Sequence, residues 1–388
     1  MQYTFAERVT HMDSSAIREL LKVAEQPQII SFAGGLPAAE LFPLEEIKES
    51  YYQVLSAKDP SVLQYGATEG YLPLRQEIAA QMGMKGIMTE AENILLTNGS
   101  QQGLDLLAKL FINPGDVVLL QNPSYLGAIQ SFQSYQANFM TIPTNKAGID
   151  ENALEVLIKH NQPKIIYLTP TYQNPTGITF TTEERKAVLR IARNYRVPII
   201  EDDPYSELCY DGQAASPIRS FSTDDEVIYL GTFSKTLAPG LRLGWIVGGK
   251  NLIAKLVIAK QGSDLHTGTL LQRATHYYLT HFSPTEHIEK IRHAYQCRRD
   301  LMLSELKKAF SNKALWTEPT GGMFIWLTLP EEYNTLKLLP KALATNVAYV
   351  PGTNFYVNEK SHNSMRLNFS NPSPAQIQQG IKLLAKIL

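Results

Sequence analysis

Short apolar runs alternate with longer amphipathic stretches through the middle of the chain. The short runs are apolar along most of their length, which is typical of strands that helices cover on both faces. The stretches between them, such as TTEERKAVLRIARNYR, repeat apolar residues at helical spacing. This alternation predicts βαβ units, and therefore an α/β fold with a mainly parallel central sheet and helices on both faces. The short runs are NILLTN, DVVLLQ, KIIYLTP, PIIEDD, EVIYLGTF and GWIVGG.

The pattern changes near residue 285. The stretch HIEKIRHAYQCRRDLMLSELKKAF predicts one long amphipathic helix, and we assign its many charges to a solvated face. Short strands mixed with helices follow it, as in WLTLP, VAYVPG and MRLNFS. We therefore predict a large domain over 45–286 and a smaller α+β domain over 287–388. The N-terminal segment (1–44) is expected to pack with the smaller domain.

The composition is that of a soluble globular protein. Of the 388 residues, 44% are apolar and 19% are charged, and the formal net charge is −1. This balance argues against nucleic acid or a membrane surface as a partner. No apolar run reaches the ~18 residues of a membrane span, and the N-terminus lacks the apolar core of a signal peptide. Two cysteines and eight histidines without metal-ligand spacing lead us to expect a cytoplasmic protein with no metal site.

Polar residues follow several of the predicted strands at their carboxyl ends. In open α/β sheets, ligands bind at the carboxyl ends of the strands. More polar groups follow these strands than loop chemistry alone requires, so we interpret them as candidates for a common site. They are Asn98-Gly-Ser100-Gln101, Asn122-Pro-Ser-Tyr125, Asn174-Pro-Thr-Gly177, Asp202 with Tyr205, and Thr232 with Ser234 and Lys235.

Lys235 and Arg242 lie in a segment that also holds glycines and hydroxyl residues. A lysine at a sheet edge beside an arginine is desolvated and lies in a positive field, and both effects lower the pKa of its amine. Such an amine is a nucleophile toward carbonyls, and an arginine clamps a phosphate with two parallel hydrogen bonds. The alternative for this segment is a basic turn on the surface.

Three further residues lie at positions where they could bind a ligand: one begins a predicted helix, and two are charged. Ser100 opens a predicted helix, whose free N–H groups attract an anion. Asp202 ends an apolar strand and needs a cationic partner, which a protonated heterocycle nitrogen would supply. Arg366, in the predicted strand MRLNFS, would suit a substrate carboxylate. The alternatives are, in the same order, an ordinary helix cap, a salt bridge or turn, and an arginine on an edge strand.

The remaining polar residues admit weaker assignments. Tyr205 and Asn174 are suited to hydrogen-bonding a phenolic oxygen, and Tyr125 is suited to stacking on a ring. Each of these residue types is also common in packing or in turns. These three residues therefore indicate a binding site only in combination with the other candidate residues.

Taken together, these motifs resemble the class I/II aminotransferase family of fold-type I enzymes, which use pyridoxal 5′-phosphate (PLP). The resemblance extends over nearly the whole chain and implies an aspartate-aminotransferase-like fold. The opening Ile30–Pro37, with Leu41-Phe-Pro43 and Leu63-Gln-Tyr65-Gly, is similar to the 2-aminoadipate/kynurenine aminotransferase branch. The family motifs are Asn174-Pro-Thr-Gly, Asp202-x-x-Tyr205, Ser234-Lys235-x-x-x-Pro239-Gly240-x-Arg242-x-Gly244 and Arg366.

The resemblance implies a role for each residue around the cofactor. Lys235 would bind PLP covalently through its amine, and Asp202 would pair with the pyridine nitrogen. Tyr205 and Asn174 would hold the phenolic oxygen of the ring, and Tyr125 would stack on it. The residues implied to hold the phosphate are Ser100, Gln101, Thr232, Ser234 and Arg242.

The resemblance also implies how substrates and a second subunit would meet this site. Arg366 would bind the substrate α-carboxylate, with Asn174 and the backbone at Gly35 lining the pocket. Tyr65 would reach the phosphate of the neighbouring subunit, because family members build their sites at a homodimer interface. Arg18 matches a position over the active site that would bind a distal carboxylate, and the alternative for it is a surface arginine on a short amphipathic helix.

The reaction that the resemblance implies is transamination. An L-amino acid (2-aminoadipate, or a leucine-type or aromatic donor) would pass its amino group to a 2-oxo acid such as 2-oxoglutarate, with ping-pong kinetics through pyridoxamine phosphate. One alternative is a PLP-dependent lyase or decarboxylase on the same fold. Another is a PLP-sensing transcription regulator without enzyme activity. Such a regulator needs a DNA-binding domain with a basic surface, which we do not expect here because the family-like motif begins by Ile30 and the net charge is −1.

Overall fold

The computed structural model contains a seven-stranded central sheet and a smaller four-stranded sheet. It describes residues 3–10, 26–145, 148–212, 214–223, 225–358 and 361–387. The strands of these residues, in chain order, are β1 (Ile30–Ser31), β2 (Ile94–Thr97), β3 (Val117–Leu120), β4 (Asn138–Thr141), β5 (Thr144–Asn145), β6 (Gly148–Ile149), β7 (Ile165–Leu168), β8 (Ile199–Asp202), β9 (Val227–Thr232), β10 (Gly244–Val247), β11 (Leu315–Trp316), β12 (Phe324–Thr328), β13 (Val347–Ala348), β14 (Val350–Pro351) and β15 (Ser364–Asn368).

Helices connect most of these strands and supply the layers around the sheets. In the described part of the chain, no helix is both long and apolar enough to cross a membrane. The helices of the described residues, in chain order, are α1 (Glu7–Thr10), α2 (Leu44–Ser56), α3 (Leu72–Met84), α4 (Gly99–Phe111), α5 (Leu126–Gln133), α6 (Glu151–Asn161), α7 (Thr182–Tyr195), α8 (Lys250–Gln261), α9 (Thr269–His281), α10 (Pro284–Phe310), α11 (Thr335–Ala344) and α12 (Pro374–Ala385).

The central sheet is mostly parallel, which confirms the prediction from the alternating pattern. Its strand order is β2-β10-β9-β8-β7-β3-β4, and the five strands from β9 to β4 pair in parallel. β10 runs antiparallel to both of its neighbours, β2 and β9. The connection from β9 to β10 is therefore a hairpin, which keeps residues 233–243 at the carboxyl end of β9.

Successive residues of a central strand face two different layers of helices. In β7, Ile165 and Tyr167 pack in a cluster with residues of α4, α5 and α8. Ile166 and Leu168 of the same strand pack in another cluster with residues of α6 and α7. All four side chains are fully buried. Coverage on both faces explains why the strand is apolar throughout rather than alternating.

The smaller sheet and the N-terminal residues share one apolar core. The sheet, ordered β11-β12-β15-β14, is antiparallel and packs with residues of α10, α11 and α12. β1 pairs in parallel with β13, with Ile30 opposite Val347. Phe32, just after β1, is fully buried in the same cluster. The division of the chain at residues 44 and 286 stays a prediction.

The long helix α10 differs from the solvated helix that its charges suggested. Ile291 and other apolar residues of α10 are buried in the core of the smaller sheet, and Arg298 and Arg299 are buried as well. Arg298 forms an ion pair with Glu40, and Arg299 forms one with Asp211. The apolar stem of an arginine packs on a core while its guanidinium meets an acceptor at the rim. A high density of charge therefore did not predict exposure here.

Candidate active site

A polar cleft lies where the carboxyl ends of β7, β8 and β9 meet the smaller sheet and the N-terminal segment. Asp202 and Thr232 are the last residues of β8 and β9. Arg366 of β15 reaches across the cleft: its Nη1 donates to Asn174 Oδ1 at 2.8 Å, and its Nη2 donates to the Ala33 carbonyl at 2.6 Å. These hydrogen bonds join three distant parts of the chain at one point.

Asp202 is a buried carboxylate with one oxygen left without a partner. Tyr167 donates its hydroxyl hydrogen to Asp202 Oδ2 at 2.8 Å. Oδ1 is buried and has no hydrogen-bond partner among the described residues. Burial raises the pKa of Asp202 to about 7, the hydrogen bond from Tyr167 opposes this rise, and the nearby Asp203 adds to it. A cationic N–H donor at Oδ1 would satisfy that oxygen and favour the ionised carboxylate.

Lys235 presents an amine that loses its proton unusually easily. The residue follows β9, and its Nζ donates to the Gly35 carbonyl at 2.8 Å. Burial lowers the pKa of Lys235 to about 8, and the positive charges of Arg366 and Arg242 lower it further. About a tenth of the amine is therefore neutral at pH 7, far more than for an ordinary lysine, and the neutral amine is the form that attacks a carbonyl.

An anion cradle forms where α4 begins beside the hairpin between β9 and β10. Gly99, the first residue of α4, has φ +72°, and a Cβ there would lie 2.7 Å from Arg242 Nη2. A Cβ at Gly244 would lie 2.7 Å from the Ser100 backbone nitrogen. The two glycines thus allow the guanidinium, the strand and the helix start to approach closely. Free N–H groups of a helix start and an arginine together favour a phosphate or another anion.

The other residues predicted to hold the phosphate border the same turn. Thr232 Oγ1 donates to Ser234 Oγ at 2.9 Å and accepts from the Ser234 N–H at 3.1 Å. The Gln101 side chain faces α5 instead, where its Nε2 donates to the Gly127 carbonyl and to Ser131 Oγ. The backbone N–H in the first turn of α4 is therefore the group that Gln101 has to offer an anion.

Tyr125, Tyr205 and Asn174 line the cleft between Asp202 and Arg366. Burial raises the pKa of Tyr125 to about 12 and the pKa of Tyr205 above its ordinary range, with a smaller opposing effect of an Asn174 hydrogen bond on Tyr205. Both phenols therefore keep their protons at neutral pH and remain donors. An edge contact with Phe324, with ring centroids 5.9 Å apart, fixes the ring of Tyr205.

Arg366 is a buried cation with aromatic rings beside it. Its guanidinium carbon lies 4.4 Å from the ring centroid of Phe324 and 5.2 Å from that of Phe355. Burial lowers its pKa to about 10, so the side chain stays charged at neutral pH. Its buried Nε has no hydrogen-bond partner among the described residues. The arrangement suits a carboxylate, which can accept two hydrogen bonds from one guanidinium.

One predicted site residue, Tyr65, is not part of this cleft in the single chain. Tyr65 is 78% exposed, and its ring makes an edge contact with His266 at 5.7 Å between ring centroids. Arg18 lies outside the described residues. The other predicted residues either border the cleft or lie in the cradle beside it.

Comparison with known proteins identifies the family. The family model for aminotransferase class I and II matches residues 28–384. The chain belongs to that family. It is 44% identical to aromatic-amino-acid aminotransferase 1 of Thermococcus litoralis, over 99% of this chain and 94% of the relative. The similarity between this aminotransferase and that relative thus extends along nearly the whole chain.

Two solved structures of this family resemble the aminotransferase closely. The kynurenine aminotransferase of Pyrococcus horikoshii, in complex with pyridoxamine phosphate (PMP), matches with a TM-score of 0.94 and 41% identity, over 99% of this chain and 96% of that one. LysN, the α-aminoadipate aminotransferase of Thermus thermophilus, in complex with N-(5′-phosphopyridoxyl)-L-leucine, matches with a TM-score of 0.92 and 39% identity, over 99% and 97%. The predicted aspartate-aminotransferase-like fold is confirmed.

The cofactor of the aminotransferase is PLP, as in the rest of its family. The groups of the cleft fit it. The unpartnered Oδ1 of Asp202 matches a protonated ring nitrogen, and the cradle at Gly99 and Arg242 matches a phosphate. The amine of Lys235, with its lowered pKa, matches an aldehyde. Each charged part of the cofactor thus has a group of opposite charge or a hydrogen-bond donor available to it.

Tyr167 is a residue of this site that the sequence did not suggest. It lies inside the apolar run of β7, where a tyrosine is easily taken for packing. Its ring is fully buried against Phe132, and its hydroxyl meets both Asp202 and Thr169. The available signal was the phenol itself, because a buried tyrosine hydroxyl in the middle of a strand needs a polar partner.

Proposed function

We propose that the aminotransferase holds PLP through the residues whose geometry is described above. Asp202 would pair with the ring nitrogen and keep it protonated, since the nitrogen is the cation that Oδ1 lacks. Tyr205 and Asn174 would donate to the phenolic oxygen, and Tyr125 would stack on the ring. The phosphate would bind the N–H groups at the start of α4, Arg242, and the hydroxyls of Ser100, Thr232 and Ser234. Bound in this way, PLP supplies the aldehyde and the electron sink of transamination.

Lys235 has two proposed tasks, both of which depend on a neutral amine. It binds the cofactor covalently, and after release it takes the proton from the substrate Cα as a general base and later returns it as a general acid. A pKa of about 8 suits both directions of transfer near neutral pH. The observation that carries this proposal is that the cleft holds both Lys235, whose amine has a lowered pKa, and the buried Asp202 with its unsatisfied oxygen.

Arg366 is proposed to bind the α-carboxylate of the substrate. Its guanidinium is buried between two aromatic rings, so the ion pair with a carboxylate forms away from bulk water and is strong. Asn174 orients it from one side. The backbone at Gly35, which already accepts from Lys235, lines the same pocket.

Replacement of Lys235 tests the cofactor assignment directly. Lys235→Ala should abolish turnover and leave PLP bound weakly enough to be removed by dialysis without reduction. Lys250→Ala, which changes an exposed lysine in α8, serves as the control and should keep both properties. Transamination by Lys235→Ala at a rate near that of the wild type would refute the assignment.

The proposed substrates are an L-amino acid donor and a 2-oxo acid acceptor such as 2-oxoglutarate, in ping-pong kinetics. The names of the relatives support 2-aminoadipate, kynurenine or another aromatic amino acid, and leucine as donors to compare. Buried Phe355 and exposed Leu36 near Gly35 suit apolar side chains. Arg18 is proposed to read a distal carboxylate.

A panel of amino donors with 2-oxoglutarate as the acceptor tests this specificity. In Arg18→Ala, kcat/KM should fall for 2-aminoadipate and stay near the wild-type value for leucine. An equal change for both donors would retire the role of Arg18. Initial-rate patterns with both substrates varied should be parallel, as ping-pong kinetics require.

We also propose a homodimer in the cytoplasm, with each site completed by the neighbouring subunit. The exposed Tyr65 lies near two further exposed apolar side chains: Leu63 is two residues away in the chain, and Leu265 directly precedes His266, whose ring contacts that of Tyr65. Apolar side chains gathered on one surface are a common feature of subunit interfaces. Tyr65 would reach from this surface to the phosphate in the other subunit.

A further inference from the structure

A buried lysine outside the catalytic cleft has no role in the mechanism above. Lys260, near the end of α8, is fully buried. Its Nζ donates to both carboxylate oxygens of Asp264 at 2.9 Å and to Gln102 Oε1 at 2.7 Å. Burial lowers the pKa of Lys260, and the ion pair with Asp264 opposes that effect. A buried lysine is expensive to maintain, so its partners indicate what it supports.

The partners of Lys260 connect it to the turn that begins α4. Asp264 Oδ2 accepts from Asn98 Nδ2 and from Gln102 Nε2, each at 2.6 Å. Gln102 Oε1 also accepts from the backbone N–H of Asn98 at 2.8 Å. Asn98 directly precedes Gly99, where the helix starts. The ion pair therefore holds both the side chain and the backbone of the residue that leads into the cradle.

The opposite side of the same turn is held by the hairpin between β9 and β10. Arg242 Nη2 lies 3.5 Å from the Asn98 carbonyl, and Gly244 packs against the Ser100 backbone nitrogen. The turn is thus enclosed between the hairpin and the Lys260–Asp264 pair. Contacts with both the hairpin and the ion pair restrict the orientation of its backbone N–H groups, as a preorganised binding site requires.

We propose that the Lys260–Asp264 ion pair positions the cofactor phosphate, by fixing the Asn98 turn through Asn98 and Gln102. This inference rests on the proposed binding of the PLP phosphate at the start of α4. Neither Lys260 nor Asp264 needs to contact the cofactor, so both are positioning residues. Their loss should weaken recognition of the phosphate much more than recognition of the pyridoxal ring.

The experiment compares PLP with pyridoxal, which lacks the phosphate, in apoenzyme titrations followed by visible absorbance. Lys260→Met and Asp264→Asn should each weaken PLP affinity about tenfold, as loss of a hydrogen bond to a charged group does, and pyridoxal affinity less than twofold. Inorganic phosphate should compete with PLP binding less effectively by a similar factor. Lys250→Met, in the first turn of the same helix, is the matched control and should change none of these values.

Pyridoxal binding also reports on folding, so a general loss of structure is distinguishable from a loss of phosphate recognition. Asn98→Ala provides a second test, because it leaves the ion pair intact and removes the side-chain link between Asp264 and the turn. It should lower the ratio of PLP to pyridoxal affinity severalfold. The inference is overturned if the ratio of PLP to pyridoxal affinity stays unchanged in Asn98→Ala and in either of the ion-pair variants, Lys260→Met or Asp264→Asn. It is also overturned if these variants lose affinity for PLP and for pyridoxal equally.

The failure of this inference and the failure of the proposed function have different signatures. If wild-type protein binds PLP without using Lys235, the proposed function fails whatever Lys260 does. If wild-type PLP binding depends on Lys235 but the affinity ratio ignores Lys260 and Asp264, the inference fails alone.

Discussion

Asp202 and Tyr167 illustrate how one hydrogen bond can influence the protonation state of a carboxylate, here the one proposed to pair with the cofactor. The hydroxyl of Tyr167 occupies Oδ2 and leaves Oδ1 as the oxygen that remains for the cofactor. The same bond opposes the effect of burial, which raises the pKa of Asp202 to about 7. Without this bond a larger fraction of Asp202 would be protonated at neutral pH, and a protonated carboxyl holds a pyridinium poorly. Tyr167 therefore shifts Asp202 toward the ionised form that the reaction needs.

Replacement of this tyrosine tests that role. In Tyr167→Phe, the carboxylate of Asp202 loses the hydrogen bond that Tyr167 donates to Oδ2. The pKa of Asp202 should therefore rise, and kcat should fall about tenfold. The acid limb of the kcat–pH profile should move to higher pH. Tyr195→Phe removes a tyrosine hydroxyl that bonds Glu155 far from the cleft, and it should leave the profile unchanged. An unshifted acid limb in Tyr167→Phe would contradict this account.

The lowered pKa of Lys235 predicts how the rate of PLP capture depends on pH. Burial first, and then the charges of Arg366 and Arg242, favour the neutral form and lower its pKa to about 8. The neutral form is populated above the pKa, so the rate of PLP capture by the apoenzyme should rise as pH increases through about 8. Stopped-flow absorbance measures this rate.

Removal of one of those positive charges changes the expected midpoint. In Arg366→Met, the protonated amine is no longer repelled by the guanidinium, so the midpoint of the rate–pH curve should move to higher pH. A midpoint that stays in place, or moves to lower pH, would show that Arg366 does not control the proton affinity of Lys235.

At the scale of elements, the cradle depends on how closely β10 approaches the start of α4. Gly244 begins β10, and a Cβ there would lie 2.7 Å from the Ser100 nitrogen and 2.9 Å from the Gly231 carbonyl oxygen. These neighbours are backbone atoms, which cannot rotate out of the way. The reversed direction of β10 brings this glycine, rather than the far end of the strand, to the cradle.

Gly244→Ala should therefore force the strand and the helix apart. We expect a loss of about 1–3 kcal/mol in the free energy of unfolding, as overpacking produces, together with weaker PLP binding. Chemical denaturation and PLP titration measure the two effects. Gly240→Ala is the matched control in the same hairpin, because a Cβ there would have no neighbour within 4 Å. Equal behaviour of the two variants would refute the close-approach argument.

The sequence predicted much of this level of structure, for reasons that particular elements make clear. The apolar runs of β7 and β8 and the helical spacing of α7 follow from burial on both sheet faces, and both are local properties. The antiparallel direction of β10 is not local, because nothing in the composition of the run GWIVGG favours one strand direction over the other. The burial of the arginines of α10 was not predicted for a similar reason, because their acceptors come from other parts of the chain.

The candidate site divides in the same way. Lys235, Asp202 and Arg366 were recognisable because their charges are costly to bury without a ligand. Tyr167 was not, because its residue type fits a buried strand and its partner became known only from the fold. The helix start at Ser100 was predicted to attract an anion, whereas the support of the preceding Asn98 turn by Lys260 required the position of α8.

At the scale of the whole molecule, the proposed dimer makes a prediction about subunit exchange. If Tyr65 acts on the neighbouring site, a mixed dimer of Lys235→Ala and Tyr65→Ala chains contains one intact site, made from Lys235 of one chain and Tyr65 of the other. Mixing two impaired variants should then restore up to about a quarter of wild-type activity, for random pairing in a twofold dimer. Activity after reversible dissociation and reassociation measures this.

The control mixes Lys235→Ala chains with Asp202→Ala chains, because each of these substitutions impairs the cleft of the chain that carries it. No mixed dimer of that pair contains an intact site, so activity should stay at the level of the separate variants. Restoration in this control, or none in the Tyr65 mixture, would contradict a shared site.

The hydrogen bonds of Arg366 have a consequence for the order in which the molecule matures on the ribosome. Asp202, Lys235 and Arg242 have all been synthesised by the time β10 is complete, whereas Arg366 arrives with the last strand and then contacts Ala33, near the opposite end of the chain. A nascent chain would therefore contain the residues proposed to hold the vitamin before it contains the residue proposed to bind the α-carboxylate of the substrate. If the proposed roles hold, the anchor for the α-carboxylate is the last part of the site that translation supplies.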